Sequence, residues 1–196
     1  SSVSWSTQYC QDSISLPLYS FVGALARPVK KQSMLCRSSC FILNEHSDGI
    51  KWAKILFEKF FEKSDFSALW NDDYNHSNEP CHNLTHYFNI MGMPKRTQYW
   101  TRRVQKEAYR LGAFGFCGNE DVGQLSAWYV LSALGLAQVC PSVPVSEMNS
   151  PLFKKATLKL DRKYHPCTVA DTFTVECDKD PLKHPYIKEI YLNSVK

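Results

Sequence analysis

The sequence predicts a mainly α-helical fold that ends in a short β-rich segment. Three observations carry this reading. Apolar residues recur at helical spacing between residues 50 and 111. The stretch Leu125–Leu134 has no charge on any side. After Pro141 the chain shifts to segments that alternate or favour β-branched and aromatic residues.

Taken in order, residues 1–49 show no clear period. Gln8 to Gly23 admit a short helix broken by Pro17, and residues 27–49, with Pro28, Cys36 and Cys40, read as loop or insertion. Trp52, Ile55, Leu56, Lys59 and Phe60 predict a helix with one apolar face. Asp65 to Tyr74 reads as loop. Pro80 then opens a helix through Leu84, Tyr87, Phe88 and Met91, since proline is tolerated in a first helical turn. Gly92 and Pro94 separate it from a helix on which Trp100, Val104, Ala108 and Leu111 align, with Gly112 as its C-terminal cap. Lys95, Arg96, Arg102, Arg103, Lys106 and Arg110 form the solvated face of that helix.

A glycine-containing loop over 113–119 leads into a helix from about Asp121 to Leu134. A helix without charge must be buried all round, as in the inner layer of a helical barrel or the centre of a bundle. Ala156–Leu160, Thr172–Cys177 and Tyr186–Leu192 read as strands. Three strands alone leave open edges, so they are expected to belong to a larger sheet. The domain reading is therefore a helical part over 1–141, poorly defined before residue 50, and a β-rich segment over 142–196.

Composition narrows the function classes. The 196 residues are 44% hydrophobic and 21% charged, a globular balance. The net charge of +4 is spread along the chain, unlike the concentrated footprint of a nucleic-acid module. No run of about 18 apolar residues occurs, so no membrane-spanning helix is expected. Eight cysteines, an even number, permit disulfides in an oxidising compartment, and their spacing does not suit a zinc site. Asn75-His76-Ser77 and Asn83-Leu84-Thr85 are glycosylation sequons. A start at Ser1 with neither Met nor signal peptide, together with the open-edged strands, gives the expectation of a partial chain.

Two acidic constellations carry the chemistry. In Ser77-Asn78-Glu79-Pro80, a carboxylate, an amide oxygen and exposed carbonyls gather before a helix, the oxygen set that a hard cation such as calcium takes. The same residues also suit helix capping, with Asn78 as cap and Glu79 in the first turn. In Gly118-Asn119-Glu120-Asp121, two acids sit at the mouth of the uncharged helix. Its free amides are expected to favour ionised Asp121, which could act as a general base toward water. Capping is the alternative here too. Glycosidases use paired carboxyl groups of this kind, set roughly 6.5–9.5 Å apart in inverting enzymes.

The stretch GNEDVGQLSAWYVLSALGL resembles the signature of glycoside hydrolase family 92, the calcium-dependent α-mannosidases. SNEPCHNLTHYFNIMGMPKRTQ upstream, and SPLFKKATLKL and PYIKEIYLNSV downstream, follow in the family's order, so the resemblance covers roughly residues 50–196. It implies an (α/α)6 barrel beside an N-terminal β-sandwich. It also implies exo-acting, inverting removal of terminal α-linked mannose, of α-1,2 linkage on N-glycan-type mannosides, and Ca2+ in the active site. On this resemblance Asn78, Glu79 and the carbonyl of Ser77 are the metal candidates and Asp121 the general base, while Asn119 and Glu120 orient the water or the sugar. The implied partner is a mannose-containing oligosaccharide or glycoprotein glycan, and the implied location secreted, extracellular or periplasmic.

The family's general acid is a Glu before a Ser-Trp-Gln-Tyr-like segment. Ser4-Trp5-Ser6-Thr7-Gln8-Tyr9 resembles that segment weakly and no Glu precedes it. The isolated chain is therefore expected to have little activity. A catalytically inactive carbohydrate-binding or interaction homologue is the alternative.

Overall fold

The computed structural model describes residues 2–7, 55, 57–71, 73–139, 145–164 and 170–193. The expectations for 8–49, for Trp52 and Leu56, and for Cys10, Cys36, Cys40, Cys140 and Cys167 lie outside the described residues. The chain divides into two compact units, Lys31–Val130 and Ser1–Lys30 with Leu131–Lys196.

The first unit is helical. Its elements are α1 (57–63), a short 3-10 turn Glu79–Cys81, α2 (Leu84–Ile90), α3 (Pro94–Glu107) and the start of α4 (Gln124–Ala133). The core is largely aromatic: Phe61, Phe66, Tyr74, Phe88, Trp100 and Trp128 gather with Val104, Ala108 and Leu125. Phe61 stacks on Tyr74 at 4.5 Å between centroids, and Phe57 meets Phe88 edge-on at 5.0 Å. Arg103 covers the outer side of this cluster, 5.1 Å over Phe66 and 5.3 Å over Trp100, with its guanidinium forked onto Glu107 at 2.8 and 2.9 Å.

Three details differ from the sequence reading. The buried face of α1 is Phe57 and Phe61, an i,i+4 pair, while Ile55 and Phe60 are exposed. Where Phe60 and Phe61 stand side by side, two neighbouring stripes fit the helical period, and tertiary packing selects one. Second, α3 stops at Glu107 with Ala108 as its cap, and Leu111 is fully exposed. Tyr109 pairs instead with Phe116 as an isolated bridge and Arg110 N–H bonds the Gly115 carbonyl at 2.9 Å, so the chain turns back before Gly112 can cap anything. Third, α4 is not buried all round: Leu125 and Trp128 face the core, whereas Ala127 and Val130 are exposed. Among the described residues the core lies on one side of the helix only.

The second unit holds the strands. β1 (Ser2–Thr7), β4 (Lys155–Lys159), β5 (Thr172–Cys177) and β6 (Glu189–Leu192) form one sheet in the order β4-β5-β1-β6, and β2 (Leu136–Ala137) pairs with β3 (Glu147–Met148). The three C-terminal strands sit close to their predicted positions. The larger sheet they require comes from residues 2–7, which lie antiparallel to β5 and parallel to β6. Val3, Met148, Val175 and Cys177 form its core. Asn149 is buried and donates from Nδ2 to the Ser132 carbonyl at 2.8 Å, satisfying a carbonyl at the end of α4.

The packing register of α1 has a direct test. Phe61→Ala should cost about 3–5 kcal/mol in chemical denaturation. Phe60→Ala should cost less than about 0.5 kcal/mol. Equal losses would place the wrong face inward.

Candidate active site

Residues 74–82 cross the core as a loop rich in polar groups, and burial requires each group to find a partner. His76 is 1% exposed. Its Nε2 lies 2.8 Å from the Tyr109 hydroxyl, which itself donates to the Leu125 carbonyl at 3.0 Å. The Tyr109 proton being spent there, His76 carries its proton on Nε2, and Nδ1 accepts from the Tyr74 hydroxyl at 2.7 Å. Burial, and then the neighbouring His82, hold the His76 pKa well below the usual imidazole value, so it stays neutral. Burial drives the Tyr109 hydroxyl up, beyond the usual phenol range.

His82 follows the same logic. Its Nε2 donates to the His76 carbonyl at 2.9 Å and its Nδ1 faces the Gln124 amide nitrogen at 3.3 Å. Its own carbonyl accepts from the Trp128 indole N–H at 2.7 Å. These bonds fasten the 74–82 loop to α4.

The second loop meets the first at Gly118. A Cβ there would lie 2.6 Å from the Ser77 Cβ, so only glycine permits the approach. Between this contact and α4, Asp121, Val122 and Gly123 all adopt positive φ, at 51°, 59° and 89°. The helix begins at Gln124, not at Asp121, because left-handed residues cannot continue it.

The predicted site residues now have places. Glu79 and Asp121, 42 positions apart in sequence, lie close enough for their carboxyls to interact. Partial desolvation first, and then the neighbouring Glu79, push the Asp121 carboxyl up from its ordinary value. This reverses the direction expected from a helix terminus, because Asp121 stands outside the helix and faces another acid. Glu120 is committed elsewhere: its two carboxylate oxygens accept from the Ser126 N–H at 2.9 Å and the Ser126 hydroxyl at 2.8 Å. It caps α4. Asn119 is exposed. Asn78 is exposed and makes no side-chain capping bond, so the capping reading fails for it. The Ser77 hydroxyl is engaged by the Leu69 carbonyl and Asn75 Oδ1, leaving its carbonyl as the group it can offer.

Sequence reasoning passed over His76, His82, Gln124 and Trp128, which assemble the two loops. The one local hint was spacing: His82 stands three places after Glu79 and Gln124 three after Asp121. One of the two sequons does not survive folding as an acceptor: Asn75 is 5% exposed, so a glycan there is incompatible with this fold, whereas Asn83 is half-buried.

The donor set fits a hard cation. Among the described residues no three His, Cys, Asp or Glu side chains group as a metal site, so any cation here must draw on neutral oxygens as well. The uncommitted Asn78 carboxamide and the Ser77 carbonyl supply them. The adjoining Glu79 and Asp121 carboxyls supply charge that a divalent ion would offset.

Beside the site, Tyr109, Phe116, Ser126, Tyr129 and Val130 line an open cleft of about 400 Å³. Cys81, Cys117 and Cys177 are free thiols. No described helix is long and apolar enough to cross a membrane.

A sequence profile of the glycosyl hydrolase family 92 catalytic domain matches residues 45–196. No curated protein matches the chain. A solved structure of a family GH92 α-mannosidase from Bacteroides thetaiotaomicron, in complex with mannoimidazole, is 26% identical with a TM-score of 0.52, over 57% of this chain and 16% of that one. Another structure of the same α-mannosidase gives 28% identity and a TM-score of 0.49, over 58% and 16%. The chain thus spans 16% of the length of these relatives.

Two outcomes check the site. Gly118→Ala should destabilise the fold by about 1–3 kcal/mol, and Ser77→Gly should recover part of that loss in the double variant. Thermal denaturation of the single and double variants reads both. The second concerns pH. A carboxyl whose folded pKa is raised binds its proton more tightly when folded. Its contribution favours folding below both pKa values and is lost as pH rises through the folded one. In calcium-free buffer Asp121→Asn should therefore raise the melting temperature at neutral pH and leave it nearly unchanged at a pH of about 3. A lowered melting temperature at neutral pH would contradict the raised Asp121.

Proposed function

Because the chain belongs to glycosyl hydrolase family 92, we propose that it forms the calcium- and base-bearing portion of an inverting exo-α-mannosidase. The observation that carries this reading is the meeting of Glu79 and Asp121 across the two loops. A structural ion pair would bring opposite charges together. Two adjoining acids, beside an uncommitted amide and a carbonyl, suit a site made for a cation and for proton transfer.

Glu79, the Asn78 carboxamide oxygen and the Ser77 carbonyl would hold calcium. When bound, the ion supplies a hard centre for sugar hydroxyls and offsets the charge of the two carboxyls. Asp121 takes the proton from the water that attacks the anomeric carbon. Its raised pKa makes it a stronger base once ionised. Glu120, held by Ser126, fixes the start of α4 behind it, and exposed Asn119 can contact the sugar or the water. The proposed substrate is a terminal α-1,2-linked mannose on an N-glycan-type oligosaccharide. The likeness to an α-mannosidase supports the mannose; the reading also needs a general acid, and no Glu precedes the Ser4–Tyr9 segment here.

Mannose release from an α-1,2-linked mannobiose by a longer chain that includes a general-acid Glu, followed by NMR so that the first anomer is seen, tests this reading. β-Mannose should form first, EDTA should suppress the reaction, and Asp121→Asn should slow it by about 100- to 10,000-fold. Turnover indifferent to EDTA would remove calcium from the reading. A retained anomer would remove the inverting base.

A further inference from the structure

Each of the two acids lies three residues before one member of a single hydrogen bond. Glu79 precedes His82 and Asp121 precedes Gln124, and His82 Nδ1 faces Gln124 Nε2 at 3.3 Å. Each three-residue step is closed by a backbone bond from the later amide to the acid's carbonyl, His82 N–H to Glu79 O at 3.0 Å and Gln124 N–H to Asp121 O at 3.3 Å. Two short turns of similar reach therefore start from the two ends of one side-chain contact, and each carries at its far end one of the two interacting carboxyls.

We propose that the His82–Gln124 hydrogen bond is the positioning device of the site, setting the separation of the Glu79 and Asp121 carboxyls. His82 is suited to serve as the fixed end. It is 3% exposed, and besides Gln124 it is bound through Nε2 to the His76 carbonyl and through its carbonyl to Trp128. Gln124 is the movable end: its side chain is exposed, and the three residues before it occupy left-handed backbone that does not belong to the helix. Without the pin, nothing among the described contacts of Gln124's side chain ties the Asp121 turn to the first loop. Glu120 secures the same turn from the other side, to Ser126 of α4, and so fixes it to the helix without fixing it to Glu79.

This inference rests on the proposed role of the two carboxyls, and its test reads their coupling without calcium and without activity. In EDTA, the carboxyl carbon resonance of Asp121 is recorded by NMR in the wild-type chain and in Glu79→Gln. The same pair is then recorded in a Gln124→Ala background. Removing Glu79 should move the Asp121 resonance in the first pair, and by at most about a third as much in the second. His82→Asn, which keeps an acceptor near the Nδ1 position, should preserve more of the coupling than Gln124→Ala. Because Gln124 is exposed, Gln124→Ala should keep the melting temperature of the wild type within about 2 °C. Equal coupling in both backgrounds overturns the proposal, as does coupling lost equally in His82→Asn and Gln124→Ala. Terbium luminescence on the same samples separates the two readings. A wild-type chain with intact coupling that binds no terbium defeats the calcium site and leaves the positioning role standing.

Discussion

The burial of a polar loop against a helix is the constraint on which the rest of this site depends. Residues 74–82 carry two imidazoles, an amide and several carbonyls into the core, and both imidazoles are held by bonds within the loop and by bonds to Tyr109, Gln124 and Trp128. Tyr74, His76, Tyr109 and the Leu125 carbonyl form one chain of bonds, and His82 joins Trp128 and Gln124. Such a network permits few alternative arrangements, because displacing one member leaves several buried groups unsatisfied. Neutral imidazoles suit it: each offers one donor and one acceptor, so a neutral His bridges two elements without adding buried charge.

The aromatic core is the mechanical support of that network. Tyr74 shows how the two are joined. Its ring stacks on Phe61 and its hydroxyl addresses His76, so the packing of α1 and the orientation of the first imidazole are coupled. Trp128 does the same on the other side, contributing its ring to the core and its N–H to the His82 carbonyl. The aromatic residues, 13% of the sequence, are used in the first unit mainly for the core.

What the sequence disclosed, and what it withheld, follows from the range of the interactions. Strands β4, β5 and β6 and helices α2 and α3 were legible because alternation and helical spacing are local. The strand at residues 2–7 was not, since its pairing partners stand some 170 positions away. Phe60 and Phe61 were equally apolar, and only the rings of Phe66, Tyr74, Phe88 and Trp100, distant in sequence, decide between them. For the site, both acidic loops were visible as motifs, and family resemblance implied the roles proposed for them. Their meeting was not visible, nor was the division of labour within GNED. Glu120 and Asp121 are adjacent acids in the sequence, yet one caps α4 and the other faces Glu79. The left-handed turn that separates their directions runs through Val122, a residue type that gives no warning of it.

That turn also shows where the fold carries its cost. Val122 is β-branched, wholly exposed and at positive φ, a conformation such residues rarely adopt. Beside it, two carboxyls adjoin and Asp121 holds its proton more tightly than it would in water. Neither feature improves the packing, since the Val122 side chain touches no core and the acids repel once ionised. Both stand where the two loops meet and where Glu120 and Gln124 restrain the backbone from either side. Strain and like charge held in place by surrounding structure are expected at a site of chemistry and have no use at a structural cap. The same argument assigns the two acids different relations to the fold. Glu120 stabilises a helix end and would be tolerated there in any protein. Asp121 gains no stability from its place beside Glu79, which suits the role proposed for it next to a cation, a water or a sugar.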